Sequence, residues 1–148
     1  MSCRMLTPIR VIDKHIKASA DVKLRVMANA LCYVGEQCIA EARNGGTYTD
    51  RTGNLRSSIG YAVLINGKVL KYEQVEKTLN GNEGLTQGQK YLQERVKKTK
   101  SKGVMLIVTA GMNYAEYVET KRVVLASVQL KAPDMVRRIM TSIGFICK

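Results

Sequence analysis

Between Asp21 and Arg43 the apolar residues Leu24, Met27, Leu31, Val34, Cys38 and Ala42 recur three or four positions apart, with Lys23, Arg25, Asn29, Glu36 and Glu41 falling elsewhere. That period predicts one amphipathic helix. Asn44, Gly45 and Gly46 tolerate the backbone angles that end a helix, and they open a loop running through Asp50. Two β-rich runs follow, Ile59 to Ile65 and Lys68 to Tyr72, joined by Asn66-Gly67. Asn-Gly suits a type I′ turn, because both central residues need positive φ, so the pair predicts a hairpin. Ile59, Tyr61, Val63 and Ile65 share one face of it and should look at the first helix.

Glu76 to Gly88 contains Asn80-Gly81-Asn82-Glu83-Gly84 and little apolar periodicity, which reads as an exposed loop. Gln89 to Lys102 then reads as a short basic helix anchored by Tyr91, Leu92 and Val96. Together, residues 76–102 look like a basic loop-helix insertion. Val104 to Val108 is an uninterrupted apolar run of strand length, the pattern of a central strand covered on both faces. Gly111 breaks it, and Tyr114, Tyr117 and Val118 are spaced for one face of a short helix or irregular turn. A final helix is clearest from Pro133 to Ile143; begun earlier, near Val124, it would contain Pro133 as a kink. The order predicts one α+β domain over residues 1–148, with a long N-terminal helix and a C-terminal helix packed on a small, mostly antiparallel sheet.

Composition narrows the function more than the fold. At 148 residues and 45% hydrophobic content the chain can bury one core, while a net charge of +12 demands acidic partners. Nucleic acid, an anionic membrane face or an acidic protein surface would each satisfy that field, and identical copies repel one another. No stretch approaches the ~20 apolar residues of a membrane span, and Met1 to Arg10 has no apolar core of a signal peptide, so neither secretion nor insertion is expected.

Cys3, Cys32, Cys38 and Cys147 form no C-x-x-C pair, and His15 is the single histidine, so neither a metal nor any other cofactor is expected. Cys32 and Cys38 fall on different sides of one helix, and Cys38 reads as a small core residue. Ser57 and Ser58 lack a nucleophile elbow, there is no phosphate-cradling G-x-x-x-x-G-K loop, and no catalytic set emerges. The chain is expected to be no enzyme.

The most specific local pattern runs from Tyr48 to Gly60. Thr52 or Asn54 can cap a turn, Gly53 allows a tight backbone, and Leu55 and Ile59 can anchor to a core. Phosphate binding by the Gly53 amide with Arg51 and Arg56 is the functional alternative, and it lacks the longer glycine-rich loop such sites use.

Thr52-Gly53-Asn54-Leu55-Arg56-Ser57-Ser58-Ile59, followed by Ala110-Gly111-Met112-Asn113-Tyr114-Ala115-Glu116-Tyr117-Val118-Glu119, resembles the paired signatures of the tail-completion, or head-to-tail joining, family of tailed bacteriophages. The likeness runs from about Asp21 to Gly144. It implies a structural subunit of a ring, of six copies, at the neck or tail end of the virion. Such a subunit is made in the host cytoplasm and meets further copies of itself and other neck, portal or tail-tube proteins. The family-motif positions are Thr52, Gly53, Asn54, Leu55, Arg56, Tyr114, Ala115, Tyr117, Val118 and Glu119.

Ring contacts are expected from the loop bearing Asn44, Tyr48 and Asp50 and from the hairpin edge at Val69, Lys71 and Tyr72, since an unpaired edge accepts a neighbour's backbone. Arg56 and Glu119, one from each signature, are expected to approach each other in the fold, since a partly buried charge needs a partner. Lys90, Arg95, Lys97, Lys98, Lys100 and Lys102 could touch packaged DNA without sequence preference, or an acidic neighbour. They also support the alternative of a nucleic-acid-binding module, although only Tyr91 supplies an aromatic there for base stacking.

Overall fold

The computed structural model describes residues 6–74 and 78–146. Its elements are α1 (Ile9–Asn44), the single turn α2 (Asn54–Ser57), β1 (Ile59–Ile65), β2 (Lys68–Gln74), α3 (Asn82–Lys98), β3 (Val104–Ala110), α4 (Ala115–Lys121) and α5 (Ala126–Ser142). The architecture is mixed helix and sheet, with long first and last helices on a three-stranded antiparallel sheet of order β2-β1-β3.

Helix α1 is longer than its periodicity predicts, beginning at Ile9 just after Pro8 rather than near Asp21. From Ile9 to Val34 no glycine or proline interrupts a run rich in alanine, lysine and arginine, and propagating a helix costs little once a buried segment has nucleated it. The span read from the pattern, Asp21 to Arg43, covers mainly the half that packs. Ala28, Leu31, Val34, Cys38 and Ala42 are buried there against Ile59, Tyr61 and Val63 of β1, the face expected to meet the helix. Gly35 lets the Tyr61 ring close on α1, since a Cβ at that position would lie 2.5 Å from ring carbon Cδ2. The β1–β2 turn has positive φ at both Asn66 and Gly67, as the Asn-Gly pair demands.

Two expectations give way. β3 is an edge strand and β1 the central one. The apolar run at 104–108 reported correctly that helices lie over both faces of β3: Leu106 and Val108 face the α1 core, while Ile107 packs beneath α3. Apolarity reads faces, however, and says nothing of whether a strand's hydrogen-bonding edge is occupied.

The second correction concerns the loop expected over 76–88. Residues 75–77, Glu76 among them, lie outside the described residues, but α3 already begins at Asn82 and ends at Lys98. Its first turns escape a periodicity test because they bury glycines, Gly84 and Gly88, where the helix presses on neighbouring backbone. A Cβ on Gly84 would stand 2.0 Å from the Asn54 carbonyl oxygen. The helix is therefore a structural layer: Leu92 and Val96 bury with Ala62 and Leu64 on the sheet face opposite α1. α5 realises the longer of its two sequence readings, with Pro133 inside it.

Candidate functional site: a cleft between the two signature segments

A third cluster joins segments far apart in sequence. Leu55 from the first signature and Ala115 from the second bury together with Tyr48, Met112 and Val124. Around this knot the backbone is held by side chains. The Asp50 carboxylate accepts from the Gly53 amide at 2.9 Å and the Arg56 amide at 3.0 Å, capping the single turn of α2. Gly53 sits at φ 79°, and a Cβ there would lie 1.9 Å from the Thr78 carbonyl oxygen. Asn54 reaches α3, its Oδ1 accepting from the Gly84 amide at 3.2 Å. The cap expected of Thr52 or Asn54 thus falls chiefly to Asp50.

The second signature has an equally definite local task. Glu119, in α4, accepts three backbone N–H groups, those of Val124, Leu125 and Ala126, each at 2.8 Å. These are donors at the start of α5, which no residue of that helix satisfies, and a carboxylate is favoured there by the helix dipole as well. Arg56 and Glu119 both flank this small cluster, but no ion pair joins them among the described residues. The Arg56 guanidinium lies over the Tyr48 ring, 5.6 Å from the centroid, and its buried Nε has no acceptor among the described residues. Glu119 reaches its amides locally, and Tyr48 offers Arg56 a π-face in place of a charge.

Between the segments lies an open cleft of about 400 Å³, lined by Tyr48, Arg51, Thr52, Tyr114, Tyr117 and Lys121 among others. Lys121 donates to the Tyr117 hydroxyl and sits 4.5 Å from its ring centroid. Burial pushes the Tyr114 hydroxyl above its ordinary pKa, helped by the charges of Asp50 and Glu83, and burial does the same at Tyr48 against the pull of Arg56. With Arg51, Lys121 and Arg122 against Asp50 on the cleft wall, the surface is aromatic and cationic, fitted to hold an acidic or aromatic group. Ser57 and Ser58 lie outside its lining and are wholly buried, the latter donating to the Leu55 carbonyl at 2.7 Å. Among the described residues no group of three His, Cys, Asp or Glu side chains could hold a metal ion, and no helix is long and apolar enough to cross a membrane. Cys38 is buried in the first core, where burial raises its pKa as it does that of Cys32.

The remaining sequence-singled residues divide by exposure. Asn44, Val69 and Tyr72 stand on the surface. Tyr48 does not: at 7% exposure it belongs to the second core, and Asp50 is occupied as a cap. Lys71 is held between Glu36 at 2.8 Å and Glu73 at 2.6 Å, contacts that raise its pKa and lower that of Glu36. Lys90, Lys97, Lys98, Lys100 and Lys102 are exposed, as is Arg95, which bonds the Tyr91 hydroxyl. Sequence reasoning missed Asp50 as the organiser of α2, although an aspartate three residues before Gly53 is a recognisable turn signal.

Searched against protein-family models, curated proteins and solved structures, the chain matched none of them.

Proposed function

We propose that this chain is a non-enzymatic structural subunit of a tailed-bacteriophage neck or tail end, joining head to tail or terminating the tail as a ring of like subunits. The supporting observation is that the two signature segments, more than fifty residues apart in sequence, share one small core and frame one cationic, aromatic cleft. In a catalyst the polar side chains of such motifs would converge on a reacting atom. Here Asp50, Asn54 and Glu119 are spent on backbone amides, which makes the signatures a device for holding a rigid docking surface. Arg51, Lys121 and Arg122 at the cleft suit an acidic neighbour, and an acidic neighbour would relieve the repulsion among copies carrying +12 each.

The test is localisation. In purified particles of the phage whose genome encodes the chain, immunogold labelling is expected to mark the head-tail junction or tail end at a few copies per particle, six for the proposed ring. Particles free of the chain, made by a host that expresses it normally, would overturn the reading.

A further inference from the structure

The N-terminal half of α1 is an exposed arm. Every residue from Ile9 to Lys23 is exposed, and Ile9 and Ile16 show 63% and 62% of their surface to solvent. Ile9, Ile12, Ile16 and Ala20 nevertheless fall on one side of the helix, in line with Met27, Leu31, Val34 and Cys38, the stripe that farther along packs on the sheet. The apolar surface laid on the sheet by one half of the helix is thus continued, uncovered, by the other. Because α1 is one uninterrupted helix, the arm cannot fold back on its own body.

A second unsatisfied surface lies at β3. α5 packs against α1 and leaves between itself and β3 an open cleft of about 480 Å³, floored by Leu106, Val108 and Ala110 and walled by Leu125, Val128 and Ala132. Its lining includes two carboxylates, Glu116 and Glu119, and no lysine or arginine. In a chain this basic, an apolar slot with only acidic charge stands apart.

We propose that the arm of one copy docks in the β3–α5 cleft of the next, as a third helix on that face of the sheet. The lengths agree. Ile9 to Ala20 spans roughly 16 Å at the rise of an α-helix, and Leu106 to Ala110 roughly 13 Å at the rise of a strand. The charges lean the same way: along one flank of the stripe Arg10, Lys14 and Lys17 outnumber Asp13 and Asp21, and the exposed Glu116 stands at the cleft to receive the excess. Arm and cleft are different surfaces, so the contact is head-to-tail and propagates from copy to copy until a ring closes or a filament grows. The inference rests on α1 and the cleft and not on the phage reading. Absence from particles would remove that reading and leave this one standing, while assembly through another surface would do the reverse.

Native mass spectrometry and light scattering of the full chain at raised salt, which screens the general repulsion, are expected to show concentration-dependent oligomers. A photocrosslinker at position 12 should attach within residues 106–132 of another copy. Ile12→Asp with Ile16→Asp should weaken association tenfold or more while the circular dichroism of the fold stays unchanged. Val22→Asp, on the opposite side of the arm, should leave association intact. Glu116→Lys should weaken it too, and Lys17→Glu added to Glu116→Lys should restore part of the loss. The sharpest outcome comes from mixing: an arm-defective variant with a cleft-defective variant retains one working contact, so the mixture should stop at dimers. A wild-type chain that stays monomeric to about millimolar concentration, crosslinks outside 106–132, or oligomers indifferent to Ile12→Asp with Ile16→Asp would each overturn the proposal.

Discussion

From Ala28 to Ala42, α1 lays its apolar stripe on the sheet, and Val34 and Cys38 are wholly shut off from solvent; from Ile9 to Ile16 the same stripe has no cover. The two halves differ little in local helix-forming character, as neither contains a glycine or proline before Gly35. They differ in what lies opposite. Burial by Ile59, Tyr61 and Val63 turns one half into the centre of the first core, and the other half remains helical by continuation from it. Periodicity along a chain therefore signals that a face needs covering, and leaves open whether the cover comes from the same molecule.

The strongest way to break this comparison is to make equivalent truncations in both halves. Leu31→Ala, in the covered half, should cost about 2–5 kcal/mol, because a buried leucine leaves both its transfer energy and a cavity. Ile16→Ala, on the arm, should change the stability of the isolated chain by less than about 0.5 kcal/mol. Chemical denaturation of the two variants at low concentration decides it. Comparable losses would mean that the arm is packed on the body in solution. Hydrogen exchange adds a finer view, with arm amides expected to exchange far faster than those near Val34.

Next in size is the hold of Glu119 on the start of α5. Glu119→Ala removes a carboxylate that accepts three amides at once, and should cost about 1–3 kcal/mol, with faster exchange at residues 124–126. Arg56→Ala acts on a different contact, the stack on Tyr48, so the double variant should equal the sum of the singles to within about 0.5 kcal/mol. A coupling well beyond that would revive the direct pairing of these two charges that the sequence suggested.

What the sequence disclosed, and what it hid, follows the same division. The hairpin and its turn were legible because Asn66-Gly67 leaves few alternatives, although β2 runs two residues past the expected Tyr72, and the covered half of α1 was legible because its period is sustained over five turns. The packed start of α3 was hidden, since its contact residues are Gly84 and Gly88 and close backbone approach leaves no apolar mark. The edge position of β3 was hidden because helices over both faces give the same run of residues whether or not a further strand lies alongside. At the signature cleft the motif residues were visible, but their partners were misassigned: Glu119 was given a side chain as partner, and its actual partners are amides, which have no letter of their own.

The cluster on the far side of the covered helix sharpens the comparison by pH. The Tyr61 hydroxyl lies 3.4 Å from Glu36 and 3.3 Å from Glu73, able to donate its one proton to either, with Lys71 between the two carboxylates. Burial pushes the Tyr61 hydroxyl up to about 12. In the unfolded chain tyrosine ionises near 10, so its contribution is intact below that pH and is lost as pH climbs from about 10 to about 12. Lys71, by hydrogen bonding, holds the Glu36 carboxyl below its ordinary range. That contribution is present above about 4.5 and lost as pH falls through the lowered value, and it is small because the group is exposed. Melting temperature against pH should therefore fall at both ends, more steeply at the alkaline one. In Tyr61→Phe the alkaline fall should shrink, with ultraviolet titration of tyrosinate showing one late-ionising group fewer.

The smallest effect on the fold belongs to the outer face of α3, where Lys90 and Lys97 lie opposite the buried Leu92 and Val96. Reversing both charges should leave stability within about 0.5 kcal/mol, as expected for exposed positions without partners in a core. Its consequence should appear only in contact with an anion. Duplex DNA of any sequence is expected to bind the chain weakly, with affinity falling as salt rises because each neutralised phosphate releases a counterion; every contact contributes a slope of about −0.9 in log K against log salt. Lys90→Glu with Lys97→Glu should flatten that slope by roughly two such contacts and weaken all sequences alike. Tyr91 is the one aromatic on the helix, and Arg95, 5.2 Å from its ring centroid, competes for it as a platform for stacking bases. Fluorescence anisotropy with two unrelated duplexes checks this. Tight binding that distinguishes the two at physiological salt would instead make α3 a recognition element and favour a nucleic-acid-binding module over a structural ring subunit.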